Sequence, residues 1–183
     1  MAWKIDSSHS SVSFSVRHMM ISNVHGQFKT VTGTVEFDEG RPTRSNVDVQ
    51  IDAASIDTHD EKRDGHLRSA DFFDVEKYPY LTFKSKRVEV VDDHHGKIYG
   101  DLTIKNITRE VVLAVDYSGQ AKAPYGITSA GFTASTKINR KDWELNWNMA
   151  LETGGVLVGD TVNINIELEI SKQGAPEPVL AAN

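Results

Sequence analysis

Near its end the chain alternates without a break: Val162, Ile164, Ile166, Leu168 and Ile170 are aliphatic, and Asn163, Asn165, Glu167 and Glu169 between them are polar. Side chains on a strand point to opposite faces with a period of two, so this is a long strand with one dry face and one wet face. The same pattern recurs along the chain. Val12, Phe14 and Val16 alternate with Ser11, Ser13, Ser15 and Arg17; Gly33, Val35 and Phe37 with Thr32, Thr34 and Glu36; Val47, Val49 and Ile51 with Asn46, Asp48, Gln50 and Asp52. Further runs are Leu81 and Phe83, Val88 and Val90, Ile98 to Ile104, Val111 to Tyr117, Ala130 to Ala134, and Trp143, Leu145 and Trp147.

Turn signals separate the runs at Asp38–Pro42, Asp92–Gly96, Lys105–Thr108 and Ala123–Gly126. Strands joined by short turns predict an antiparallel sheet, because parallel pairs need long crossovers. A sheet with one continuous apolar face must close on itself or meet a second sheet. The dry faces therefore either pack as a solid core or surround an apolar ligand. Thr58 to Phe73 breaks the rhythm; it is polar, predicts one or two short helical turns, and offers Ser69 as an N-cap ahead of Asp71, Phe72 and Phe73. Glu152 to Asp160 is a second irregular stretch, rich in glycine. The chain reads as one domain over 1–171 and a flexible C-terminal tail over 172–183.

At 183 residues, with 39% hydrophobic and 25% charged, the chain has the composition of a globular protein rather than a disordered one. No apolar run approaches the ~20 residues that span a membrane as a helix. The start, Met1 to Asp6, shows no signal-peptide pattern and predicts a cytoplasmic protein; a chain trimmed of its leader would look the same and be periplasmic. A net charge of −6 with scattered Lys and Arg argues against nucleic acid as a partner. The absence of cysteine excludes disulfides, thiolate metal sites and cysteine nucleophiles.

Several segments in order resemble the YceI-like family. They are Trp3 to His18, Ser55 to Thr58, Arg63 to Phe73, Tyr78 to Phe83, Gly100 to Ile104, Asn139 to Trp143 and the closing strand, together covering about Trp3 to Ile170. The resemblance implies an all-β, extended antiparallel, lipocalin-like barrel of about eight strands with a short helical segment near 58–73. It further implies a long polyisoprenoid lipid as ligand, an isoprenoid quinone or its prenyl precursor, stored or carried without catalysis. No other cofactor is expected, and pairing of two copies as a homodimer is consistent with the family.

Phe14, Val16, Met19, Met20, Phe28, Phe37, Phe72, Phe73, Phe83, Phe132, Trp143 and Trp147 are the candidate apolar lining. Gly33, Gly100, Ala130 and Ala134 are small residues at inward positions and favour a channel over a filled core. Arg17, His18, Arg63, His66 and Arg68 are candidates for a polar head group, since guanidinium suits bidentate contact with phosphate. Asn139 to Asp142 reads instead as a turn or ion pair before the Trp143 run. A metal is not expected: adjacent His94 and His95 point apart on a strand, and the His59–His66 spacing does not suit zinc. Asp6, His9 and Ser10 read as local hydrogen bonding rather than a triad. Two rival readings stand beside the carrier: an enzyme acting on an apolar substrate with His18 or His66 as base, and a stress-related protein with a packed barrel.

Overall fold

The computed structural model describes residues 3–172, so the expected tail lies outside the described residues except for Lys172. Eleven strands occur in chain order: β1 Trp3–Ile5, β2 Ser11–His18, β3 Ser22–Phe28, β4 Val31–Glu36, β5 Asn46–Asp52, β6 Ile56–Asp57, β7 Tyr80–Val90, β8 His95–Ile104, β9 Ile107–Lys122, β10 Thr128–Asn139 and β11 Val158–Lys172. One helix, α1 Glu61–Arg68, lies between β6 and β7. All pairings are antiparallel.

Six of the eleven strands are halves of three interrupted ribs. β1 and β2 both pair with β11, Ile5 opposite Ile170 and Ser11 opposite Glu167. β3 and β4 continue one another beside them, with Phe28 opposite Val12 and Val35 opposite Trp3. β5 and β6 do the same in the next position, with Ile51 opposite Val31 and Ile56 opposite Phe28. The result is eight ribs in sequence order, closed where β11 meets the first rib: an up-and-down antiparallel barrel in which, among the described residues, the outer sides of β6 and of residues 22–26 of β3 stay unpaired near α1.

The breaks have local causes. Between β1 and β2 the Ser10 side chain takes over the ladder, its Oγ donating to Glu169 O and accepting from Glu169 N at 3.3 and 3.1 Å. In β7 the register shifts between Ser85 and Arg87. That bulge moves the inward phase from odd to even residues, which joins the Leu81–Phe83 and Val88–Val90 runs into a single strand.

Two local readings are corrected. The Trp143, Leu145, Trp147 alternation is not a strand. Arg140–Trp143 is a 3-10 turn, and Glu144 follows in the left-handed region at φ 57°, which destroys the period-two geometry. Ser69 starts no helix: it is the C-cap of α1, its hydroxyl donating to His66 O at 2.6 Å, and the same hydroxyl accepts from Asp71 N at 3.3 Å in the turn that follows. The N-cap is Asp60, whose carboxylate accepts from Arg63 N at 3.0 Å, with acidic Glu61 and Asp64 in the first turn where the helix dipole favours them.

The connections sort the barrel into two ends. At one lie the β2–β3 turn, α1, the β8–β9 turn and the 140–157 connection; at the other lie the β4–β5, β7–β8 and β9–β10 turns. With fifteen residues in β11 and sixteen in β9, ribs at ~3.3 Å per residue run to about 50 Å.

Candidate functional site

The inward face of the barrel encloses a cavity of about 1320 Å³ with an almost wholly apolar wall. Its lining comes from every rib: Val12, Phe14 and Val16; Val24, Phe28, Val31 and Val35; Val47, Val49 and Ile51; Leu81 and Phe83; Ile98 and Leu102; Val111, Leu113 and Val115; Phe132, Ala134 and Ile138; Val162, Ile164 and Ile166. Many of these side chains point inward and yet stay only half-buried, because they face a hollow instead of an opposing layer. A fully packed barrel would bury them, so the packed-barrel reading does not describe this interior.

The end opposite α1 has an aromatic floor. Phe37 meets Trp3, Tyr117 and Phe132 with ring centroids 5.7, 5.6 and 5.2 Å away, and Tyr117 meets Phe132 at 5.1 Å. Such tilted and edge-on pairs hold their geometry beyond what area burial supplies. Trp3 Nε1 donates to Phe37 O at 3.1 Å, which ties the first strand across this floor.

The other end is covered by α1 and the segment after it. Buried Asp64 accepts from Thr58 N and Thr58 Oγ1 at 2.9 and 2.5 Å. Arg63 donates from Nε to Thr58 Oγ1 and from Nη2 to Thr58 O, at 2.8 and 2.7 Å. Phe73 packs edge-on to Phe28, itself 5.7 Å from Phe14. Phe72, His66 and Trp147 form a second cluster, with the imidazole edge-on to both rings at 5.1 and 4.6 Å. His66 Nε2 bonds Asp71 Oδ2 at 2.8 Å.

Phe14, Val16, Phe28, Phe37, Phe72, Phe73, Phe83, Phe132 and Trp147 all line the cavity, as do Arg17, His18, Arg63 and His66. Four expected residues do not. Met19 and Met20 sit at φ 51° and 65° in the β2–β3 turn, which carries their side chains outward. Trp143 is 2% exposed in the packed core, its Nε1 donating to Leu102 O at 3.0 Å. Arg68 lies on the far face of α1 and donates from Nη2 to Glu61 Oε1 at 2.9 Å.

The small residues behave differently from one another. Ala134 borders the hollow. Gly100 does not open it, because the space a Cβ would need is taken by the Phe83 ring, 2.4 Å from that position. Ala130 is packed against Trp3, Val35 and Ile170. Gly33, at φ 149°, lets β4 lie close to the β5 backbone, where a Cβ would come within 2.2 Å of Asp48 O.

One residue that binary patterning missed organises the mouth. Arg140 is buried and lines the cavity; its Nε donates to Gly159 O at 2.8 Å, Nη1 to Leu145 O and to Trp147 O, and Nη2 to Val158 O. Burial pushes its pKa down and nearby Asp160 opposes this. The guanidinium thus spans both ends of the 145–158 connection. Its sequence signals are a charged residue in a turn motif and its place in the Asn139–Trp143 segment that resembles the family.

Two other titratable clusters lie away from the helix end. Asp6 accepts from Ser8 Oγ at 2.6 Å and pairs with His9 Nδ1 at 2.9 Å, which holds the Asp6 carboxyl below its usual range and the His9 imidazole above. Ser10 is engaged with Glu169, not with His9. His95 opens β8 against Asp92 of the preceding turn, whose hydrogen bond raises its pKa, and both border the cavity at the end opposite α1.

A closed eight-stranded up-and-down barrel around an apolar cavity is the architecture of the lipocalin-like barrels, whose interior holds one small or slender molecule. Within that class the chain belongs to the family of the YceI-like domain, whose model matches residues 3–170. It is 38% identical over 167 residues to a UPF0312 protein of Staphylococcus aureus strain N315, covering 91% of this chain and 95% of that one. A UPF0312 protein of Staphylococcus epidermidis is 38% identical over 170 residues, 92% of this chain and 96% of the relative. Among solved structures, Burkholderia cenocepacia BcnA superposes with a TM-score of 0.80 at 25% identity, covering 91% of this chain and 99% of BcnA. The Campylobacter jejuni YceI protein gives 0.74 at 35% identity, with 86% and 90% covered. A polyisoprenoid binding domain from Saccharophagus degradans shares the fold, with a TM-score of 0.70 at 15% identity and coverage of 94% and 99%.

Proposed function

We propose that this protein binds a single long apolar lipid of polyisoprenoid type inside the barrel and stores or carries it without altering it. The observation that carries this reading is the apolar cavity of about 1320 Å³ running between the aromatic floor and the helix end. Burying each methylene there is worth ~0.8 kcal/mol, so a few isoprene units already offset the cost of association. Family membership and the shared fold of a domain described as polyisoprenoid binding support the same chemistry.

The polar end of the lipid, a quinone or a diphosphate, lies at the helix end beside Arg17, His18, Arg63 and His66, which line the cavity there together with Lys62 and the internally bonded Arg140. Two of the three Arg63 nitrogens are engaged by Thr58, which fixes the plane of the guanidinium. His66, the base an enzyme of this shape would need, is engaged with Asp71 and wedged between two aromatic rings. These contacts fix the plane of the imidazole at the cavity mouth.

Organic extraction of purified protein, with native mass spectrometry, tests the reading. The expected result is one prenyl lipid per barrel, recovered unchanged after incubation. Protein that is clean and takes up no prenyl lipid, or a lipid consumed over time, overturns it. Arg17→Ala and Arg63→Ala should each weaken a diphosphate-headed lipid by about tenfold, from the loss of one charged hydrogen bond, while leaving the bare hydrocarbon nearly unchanged. Equal losses for both ligands would remove the head group from this end.

A further inference from the structure

At the helix end, two turns hold apolar side chains out in water. The β2–β3 turn places Met19 and Met20 both at positive φ, positions at which glycine or asparagine is usual. Facing it is the connection ahead of β11, where Gly154 and Gly155 also take positive φ. The two turns form one tip. Met19 N donates to Leu157 O at 2.8 Å and Leu157 N to Met149 O at 2.9 Å. The Met20 side chain lies against Gly155, where a Cβ would come within 3.1 Å of Met20 Cγ. Met19, Met20, Ile21, Met149 and Val156 are all exposed on this tip, Ile21 at 76%.

The patch runs straight into the cavity wall. Arg17 and His18 precede the methionines, Leu157 and Val158 follow Val156, and all four line the cavity. We propose that this tip docks the barrel onto a lipid bilayer, so that the lipid passes between membrane and cavity without crossing water. The inference rests on the cavity reading above and adds the surface from which the cargo comes.

Three observations favour a bilayer over a protein partner. Residues 17–22 and 149–157 carry one cation and one anion, Arg17 and Glu152, so the tip is neutral and offers no charge pattern to a partner surface. Three of its five exposed apolar side chains are methionine, whose flexible thioethers adapt to a fluid environment more readily than to a fixed one. The patch is continuous with a cavity whose apolar cargo partitions into membranes. Binding of this kind scales with apolar area inserted and is insensitive to salt.

Flotation with phosphatidylcholine vesicles tests the proposal. Wild-type protein should float with the vesicles equally at low and high salt. Ile21→Ser and Met149→Ser should each lower partition by about tenfold. Tyr125→Ser, at a residue 79% exposed on the opposite end, should leave partition unchanged. Each variant should still take up a soluble fluorescent fatty-acid probe into the cavity, which shows that the barrel is folded. Wild-type protein that stays free of vesicles, including protein whose tip binds another protein instead, overturns the proposal. So does a Tyr125→Ser loss as large as that of Ile21→Ser. Flotation without any probe uptake overturns the transfer role by removing the cavity reading on which it rests.

Discussion

Gly100 and Ala134 are both small residues on inward-facing strands, and the structure gives them opposite roles. At Gly100 a Cβ would sit 2.4 Å from Phe83 Cζ and 2.7 Å from Lys84 O. The ring could shift, but the backbone carbonyl could not. Gly100→Ala is therefore expected to cost about 2 kcal/mol, read as a lower denaturation midpoint at unchanged slope. A neutral substitution would show that the ring moves freely into the hollow. Ala134 has that hollow in front of it. Composition and parity alone make the two residues look alike; only the neighbouring ring separates them.

At the scale of elements, alternation located most of the ribs because each buries one face. It failed where a bulge, a left-handed residue or a side-chain bond interrupts the backbone. The Ser85–Arg87 shift split one strand into two apparent runs, and Glu144 turned an apparent strand into a bend. The 58–73 segment was legible as helical, but its cap was not, since Asp60 and Ser69 are both competent caps by residue type. The 145–158 connection is held by the Arg140 guanidinium together with the Asn148 amide, which bonds both Val158 N and Val158 O. Arg140→Ala would take the guanidinium donor from the Leu145, Trp147 and Gly159 carbonyls, while Val158 O would keep Asn148 Nδ2. The expected loss is about 3 kcal/mol in urea unfolding, with faster amide exchange confined to that connection. A loss spread evenly over the barrel would contradict this local role.

For the whole molecule, the eight ribs close on one another, and the hollow interior leaves room that a packed core would not have. Filling that room separates ligand capacity from stability. Ala134→Phe is expected to shift the melting temperature little, because the ring enters open space, while shortening the longest prenyl chain the barrel retains. Chain lengths retained by wild type and variant can be compared by mass spectrometry. A strong loss of stability with no change in ligand length would show that Ala134 faces packed side chains.

What the sequence determined by itself is most of the strands, the face each of them turns inward and the polar segment at 58–73. Period-two alternation, turn residues and caps are local properties of the chain. Family resemblance supplied the barrel and its cargo class as expectations, and the match over residues 3–170 establishes the membership. What only the tertiary structure decided is how far apart the inward faces stand. Parity says that Phe14, Phe83 and Phe132 point to the axis but not whether their rings meet across it, because that distance depends on strand number, tilt and register together. The same holds for Met19 and Met20: two residues of the right type and place for a lining were turned outward by the sign of φ in one turn.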